Sequence, residues 1–389
     1  MQKIYYCGYY GDPSPQSNRE ITPAADTKMT YIIESMKNTG FDVEVLSFSA
    51  PEDRSVLFRK NPGYDITRNG TRVVFFDSYT SKFRILRVIG RWLSWLKVKC
   101  YLRQHCLNDE CRIVIYHSLG LLKVINFLHR KKKSFVLEME EIYADVTGES
   151  RIRNRELAAA QKASGYIFPT QLLSEIVNPN GKPEVIIHGT YAVEPDRGCN
   201  IFDQSLQEHS GRMIHCVYAG TLDPRKGGAV AAAAAAEFLP ENYHIHILGF
   251  GSDLEIQNMK DLISDIASRS KAKVSYDGLL SGEDYIRFTQ SCDIGLSTQN
   301  PDAAFNATSF PSKILSYMAN GLRVVSIRIP AIEQSAVGDA LFYYDRQTSE
   351  EIAKAILSVD ICEEYDSRRM IAALSAEFEQ QMDALLNRA

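Results

Sequence analysis

The chain contains no run of about 18 consecutive apolar residues, so no segment of it reads as a membrane-spanning helix. It has eight cysteines but no Cys-x-x-Cys pair. Cys100, Cys106 and Cys111 lie near His105, yet their spacing matches no zinc-site pattern. Cys7, Cys216 and Cys292 sit in apolar segments and read as buried, reduced thiols. The Gly-x-Gly-x-x-Gly fingerprint is missing, and no acidic ribose clamp accompanies a glycine turn, which weakens a nicotinamide-dependent reading. No repeat is visible, and the only low-complexity segment is the alanine run 231–236, a good helix former. The opening, Lys3 followed by IYYCGYY, lacks a long apolar stretch and reads as a strand rather than a secretory leader. These absences predict a cytoplasmic protein.

What is present is the material of two ordinary domains. At 389 residues, with 45% hydrophobic and 24% charged residues, the chain can bury two separate cores. The net charge of −4 hides a division. Residues 1–190 carry 27 Lys and Arg against 20 Asp and Glu, and the remainder carries 17 against 28. A basic first half suits an anionic surface or substrate, or is a solvated basic face.

Strand-like segments near 3–9, 42–48, 71–77, 112–117, 134–139, 165–168 and 184–188 alternate with helical stretches near 24–38, 82–106, 119–131 and 151–163. Polar, turn-rich sequence follows from Glu194 to Arg212, and then the alternation restarts at MIHCVYAG. Strands separated by helices of this length imply parallel sheets with helices on both faces. The expected architecture is α/β, two Rossmann-like domains at 1–190 and 191–365, then a terminal helix at 366–389 that packs back on the first.

Open α/β sheets bind ligands beyond the carboxyl ends of their strands. Three strand-to-helix turns of the second half therefore matter. In AGTLDPRKGG, Gly220 ends a strand, Gly227 and Gly228 open a helix, and Arg225 and Lys226 add positive charge. A phosphate fits such a turn, although a basic turn that merely starts a helix has the same composition. In ILGFGSD, Gly249 and Gly251 flank Phe250, a pattern equally suited to a tight turn. In SFPSKILSYMANG, Pro311 suits the first helical turn and Asn320-Gly321 a left-handed stop. Its opening N–H groups, with Ser309, Ser312 and Lys313, make either an anion site or an ordinary capped helix start.

In their order and spacing, GTLDPRKGG, ILGFGSD, YDGLL and SFPSKILSYMANGLRVVS resemble the donor-binding domain of GT-B glycosyltransferases, most closely glycosyltransferase family 4. The likeness covers about 213–330, with FPSK followed by YMANGLRVV its most specific part. It implies a retaining, metal-independent transfer from a nucleotide-sugar bound in the second domain to an acceptor held in the first, the domains facing an interdomain cleft. No DxD motif is present, which fits. Lys226 matches the family's phosphate-binding lysine. The usual arginine falls on Thr221, and Arg225 is its substitute. Two glutamates typical of the family fall on Thr308 and Ser316, so a ribose contact through Ser316 lacks charge assistance. The resemblance places the donor against Gly220, Thr221, Gly249, Gly251, Thr308, Ser309, Phe310, Pro311, Ser312, Lys313 and Ser316, with the base near the backbone of Gly278 and Leu279. A UDP-sugar is favoured over a GDP-sugar, and surface-polysaccharide assembly is the implied role. The replaced glutamates motivate a rival, a catalytically silent GT-B homologue acting as partner or chaperone subunit.

In the first half, His117 ends a strand where relatives place a histidine near the sugar, which makes His117, with Lys226 and Arg225, the catalytic set. Glu138, Glu140 and Glu141, and Asn18 and Arg19 in the first loop, are acceptor-binding candidates, or members of solvated loops. Residues 81–105 hold both tryptophans and seven Lys or Arg without an acid. That pattern reads as an amphipathic helix lying on anionic membrane, or as one packed on the sheet with a basic outer face. No nucleic-acid partner, metal or cofactor is expected.

Overall fold

The computed structural model describes residues 2–14, 17, 19–50, 55–108, 110–148, 150–198, 201–202, 212–223, 228–301 and 308–388. The chain divides into two units, Met1–Thr190 with Glu377–Ala389, and Tyr191–Ala376. Arg225, Lys226 and Asn18 lie outside the described residues.

The strands of the first unit are β1 (Lys3–Gly8), β2 (Asp42–Ser47), β3 (Arg59–Asn61), β4 (Tyr64–Arg68), β5 (Thr71–Phe75), β6 (Ser78–Thr80), β7 (Cys111–Tyr116), β8 (Val136–Glu138), β9 (Gly165–Phe168) and β10 (Glu184–Ile186). Its helices are α1 (Pro23–Asn38), α2 (Arg84–His105), α3 (Leu122–Arg130), α4 (Tyr143–Thr147), α5 (Ser150–Ala160) and α6 (Gln171–Val177). Eight strands form one sheet in the order β10-β9-β8-β7-β1-β2-β5-β4. It is parallel except for β4, which pairs antiparallel with β5.

The parallel strands are continuous apolar runs because helices cover them. Met29, Ile32, Ile33 and Met36 of α1 recur at helical spacing and are buried, each worth about 1.5–3 kcal/mol relative to exposure. Asp26 in the first turn of α1 accepts from the Gly11 N–H and pairs with Arg68 at 2.6 Å. The β4–β5 hairpin turns on Asn69 and Gly70, both at positive φ, 49° and 72°. Its Asn-Gly pair is the strong signal for such a turn, and the periodicity reading passed over it because β3, β4 and β6 are short and partly exposed.

The second unit contains β11 (Ile214–Thr221), α7 (Ala229–Ala234), β12 (Tyr243–Phe250), α8 (Asp253–Arg269), β13 (Lys273–Gly278), α9 (Gly282–Gln290), β14 (Ile294–Ser297), α10 (Ser312–Ala319), β15 (Arg323–Ile327), α11 (Pro330–Glu333), β16 (Phe342–Tyr344) and α12 (Ser349–Leu357). Its six strands run parallel in the order β13-β12-β11-β14-β15-β16, a doubly wound arrangement. A long helix, α13 (Ser367–Arg388), ends the chain, and within the first unit its Phe378 stacks on Tyr31 at 5.8 Å. The expected α/β architecture with two Rossmann-like sheets is what the structure has.

Candidate donor site

In the second unit, α7, α8 and α10 begin near the carboxyl ends of the parallel strands, and glycines let those elements close up. Gly220 and Gly249 are register partners at the ends of β11 and β12. A β-carbon on Gly249 would stand 2.0 Å from the Gly220 carbonyl oxygen. At the start of α7, a β-carbon on Gly228 would fall 1.7 Å from the Thr298 oxygen, while Thr298 Oγ1 donates to the Gly228 carbonyl at 2.8 Å. The helix α10 is pinned by Tyr317, whose buried hydroxyl accepts from the Ala219 N–H at 2.8 Å and whose ring covers Gly295. Ile314, Leu315 and Met318 bury the same face, and Gly321 supplies the left-handed stop at φ +92°.

Pro311 is the residue before the helix rather than its first, with ψ 103°, and Ser312 begins it. Proline's missing N–H is as harmless there as at the first turn. Pro311 itself offers no side-chain cap to this start. Ser312 is exposed, whereas Thr308, Ser309 and Pro311 are half-buried and Phe310 is buried. The start of α8 differs. Ser252 and Glu255 form a capping box, with the Glu255 carboxylate on the Ser252 N–H at 2.7 Å, so an acid already occupies the turn after Gly251. The geometry of Gly249 and Gly251, both expected against the donor, serves strand packing and a self-capped helix start.

Among the described residues, Lys313 brings a cation to this end of the sheet. Its ammonium lies 4.2 Å from the Tyr218 ring centroid, and a β-carbon on Gly220 would meet it at 3.2 Å. Among the described residues no carboxylate pairs with it, and burial pushes its pKa down to about 8. Tyr218 in turn donates to the Thr221 carbonyl and accepts from the Gly228 N–H, each at 3.1 Å, which fixes the ring under the ammonium. Thr221 Oγ1 accepts from the Asp223 N–H at 3.2 Å. Ser316 Oγ lies 3.2 Å from the Tyr285 hydroxyl, which leaves it two of its three hydrogen-bonding positions. Gly278 has φ +84°, and Leu279 beyond it is 66% exposed. A helix start beside an ammonium that meets no carboxylate among the described residues is an arrangement able to accept an anion.

The first unit gathers a different set at the ends of β1, β7 and β8. His117 is buried, with Nε2 at 2.8 Å from Glu156 and Nδ1 unpartnered. Glu156 also accepts from the Tyr143 and Ala144 N–H groups. Burial opposes its charge, yet the His117 bond and these amides hold its pKa below the ordinary value. Glu138 is fully buried and accepts from the Tyr6 hydroxyl at 2.6 Å. Burial, and then the neighbouring Glu140, push its pKa up to about 8. Glu140 pairs with Lys28 at 2.7 Å, and Glu141 is half-buried with a raised pKa from the same causes as Glu138.

Two acceptor expectations are corrected here. Glu138 lies under Tyr6 with no exposed surface, so an acceptor hydroxyl has no path to it. Arg19 is 6% exposed and spends its guanidinium on the carbonyls of Ser49, Pro62 and Phe76 and the Ser78 hydroxyl, which makes it a clamp for three loops. Glu140 and Glu141 remain accessible.

The family model described as glycosyl transferases group 1 matches residues 214–359. Anabaena HepE in complex with UDP is similar over the whole of both chains, at 16% identity and TM-score 0.66. The chain has the GT-B fold, and the stretch that matches the group 1 glycosyl transferase model lies within its second unit. The UDP-forming trehalose-phosphate synthase of Burkholderia xenovorans in complex with glucose-6-phosphate also superposes, over all of both chains, at 13% identity and TM-score 0.64. The trehalose-6-phosphate structure from E. coli bound with UDP-2-fluoro glucose covers 99% of this chain and 98% of that one, at 12% identity and TM-score 0.61. No curated protein matches the chain by sequence.

Proposed function

We propose that the protein transfers a sugar from a nucleotide-sugar, a UDP-sugar before a GDP-sugar, to a hydroxyl of a glycan or lipid-linked saccharide in surface-polysaccharide assembly. The observation that carries the reading is Lys313: a desolvated cation that meets no acid among the described residues, beside the start of α10 and Gly220, inside the matched stretch. Charge builds on the diphosphate as the glycosidic bond breaks, and a preorganised cation is worth most there. Lys226 and Arg225 would add to it, so the chemistry needs no metal. Two neighbours hold UDP or a UDP-sugar, which favours uridine, and the trehalose-6-phosphate synthase neighbour transfers with retention.

Ser316 would serve the ribose, and the backbone of Gly278 and Leu279 the base. The first unit would take the acceptor, with Glu140 and Glu141 on its hydroxyls, while His117, buried against Glu156, has no more access to the sugar than Glu138 has. The outer face of α2 supports a lipid-linked acceptor. Ile85, Val88, Ile89, Trp92 and Leu96 form one apolar stripe, with Ile85 76% and Trp92 57% exposed. Exposed Arg84, Arg91 and Lys97 accompany it, as on helices that lie in an anionic interface. Among the described residues no helix is long and apolar enough to cross a membrane. We therefore place the protein at the cytoplasmic face of the cell membrane.

A second reading is favoured by Thr308 and Ser316, which leave two family carboxylate positions without charge. In it the chain is a silent partner subunit. Calorimetric titration with UDP, GDP, dTDP and CMP, on wild type and Lys226→Ala, separates the two. Selective binding of UDP, weakened by roughly 10- to 150-fold in the variant, is the expected result. Absence of binding to all four nucleotides would overturn the enzyme reading in favour of the silent partner.

A further inference from the structure

Three of the eight histidines lie together on one face of the second sheet, at the opposite end of its strands from the glycine turns. His215 of β11 is the register partner of His244 of β12. His246 is two residues farther along β12, so its side chain projects on the same side as His244. Each offers a nitrogen, and the three nitrogens lie within 4.8 Å of one another. We propose that His215, His244 and His246 form a binding site for one divalent transition-metal ion of the zinc class.

The proton positions favour this. His246 Nδ1 lies 3.1 Å from the Asp277 carboxylate, which only accepts when ionised. The Nδ1 proton therefore faces Asp277, and the lone pair of Nε2 faces His215 Nδ1, 2.9 Å away. A carboxylate behind a ligating imidazole is the usual means of fixing its tautomer and raising its basicity. Two nitrogens sharing a tetrahedral ion at about 2.0–2.1 Å stand about 3.3 Å apart, so the pair needs only a few tenths of an ångström of opening. His215 would carry its proton on Nε2 in the loaded form, a tautomer change with no ionisation.

Aromatic rings line the cluster. Phe202 stacks on His215 at 3.8 Å, and Phe288 meets His246 edge-on at 5.1 Å. His244 is half-buried and marks the side from which an ion enters. Three imidazoles suit zinc, cobalt, nickel or copper, and not magnesium or calcium. Five residues of strand at about 3.3 Å each separate His215 from Gly220, which keeps this ion away from the donor turn.

Full-length protein, stripped by chelator and free of any affinity tag, would be titrated with zinc chloride by calorimetry and with Co²⁺ by visible absorption. One equivalent per chain, with the d–d bands of a tetrahedral cobalt site, is expected. His244→Gln should weaken zinc by more than about 100-fold and Asp277→Asn by about 10- to 100-fold, while His129→Gln on α3 changes nothing. Circular dichroism would verify that each variant is folded. Asp277→Asn alters no ligand, so it gives a reading even where a histidine variant does not fold. Wild type that takes up no stoichiometric zinc, or zinc affinity unchanged in both His244→Gln and Asp277→Asn, would show that the three rings merely pack.

Discussion

The ammonium of Lys313 stands 4.2 Å from the centroid of the Tyr218 ring and meets no carboxylate among the described residues. Its pKa of about 8 lies below the lysine value of 10.5 because burial penalises the charge. Below about pH 8, folded and unfolded chains both carry the proton and the penalty is present in full. Between about 8 and 10.5 the unfolded chain binds more protons, so stability rises with pH. Urea denaturation at pH 7, 8, 9 and 10 should show that rise in wild type and not in Lys313→Met. At pH 7 the same variant should be the more stable protein without ligand, and should bind UDP roughly 10- to 150-fold more weakly. Equal pH slopes in the two proteins would remove the burial penalty from the account.

Gly249 answers to a steric demand. Its missing β-carbon leaves 2.0 Å to the backbone oxygen of Gly220, which no rotamer change relieves. Gly249→Ala must push β12 from β11 where both strands end, and overpacking of this kind costs about 1–3 kcal/mol. A denaturation midpoint within error of wild type would mean that the strands separate freely there.

Much of this arrangement was legible in residue order, and the reasons for the gaps are local. Apolar runs of parallel strands, spaced by helix-length segments, mark both sheets in the sequence itself. The β4–β5 hairpin was announced by Asn69-Gly70 but obscured by the polar, exposed residues of β4. Ser252-x-x-Glu255 is likewise a readable capping box, and it explains why the turn after Gly251 holds its own acid. Other features exist only in three dimensions. Arg19 reads in the sequence as an acceptor-binding candidate or a solvated loop residue because the carbonyls it gathers come from positions 49, 62 and 76. The isolation of Lys313 depends on which side chains fail to reach it, and the pairing of His246 with Asp277 joins two strands.

The apolar stripe of α2 bears directly on where the protein works. Gly90 allows the helix to lie against Tyr79, where a β-carbon would come within 2.5 Å, so the helix is held by its inner face and its outer stripe stays uncovered within the unit. Co-sedimentation with vesicles rich in anionic lipid should be reduced by Arg84→Gln with Arg91→Gln, and more strongly by Trp92→Ser with Ile85→Ser. The charge effect should fade at high salt and the apolar effect should not. Vesicle binding equal to wild type in all four-substituted protein would end the membrane assignment.

Glu138 makes the first unit sensitive to pH in the opposite sense from Lys313. Its carboxyl lies under Tyr6, with one oxygen on the tyrosine hydroxyl and the other without a partner. Burial and the nearby Glu140 hold its pKa at about 8 against an ordinary 4.5, while Lys28 and the Tyr6 bond pull it down. From about pH 4.5 to 8 the folded chain therefore keeps a proton that the unfolded chain has released, and stability falls as pH rises through that window. Glu138→Gln copies the neutral form and cannot ionise. Its stability should equal that of wild type near pH 5 and exceed it progressively toward pH 8, with no further gain above. Since Glu138 reaches no solvent, the same variant should leave acceptor affinity intact, whereas Glu141→Gln should weaken it. A Glu138→Gln protein that tracks wild type at every pH would mean that the carboxyl ionises in place, with Lys28 and Tyr6 together outweighing its burial.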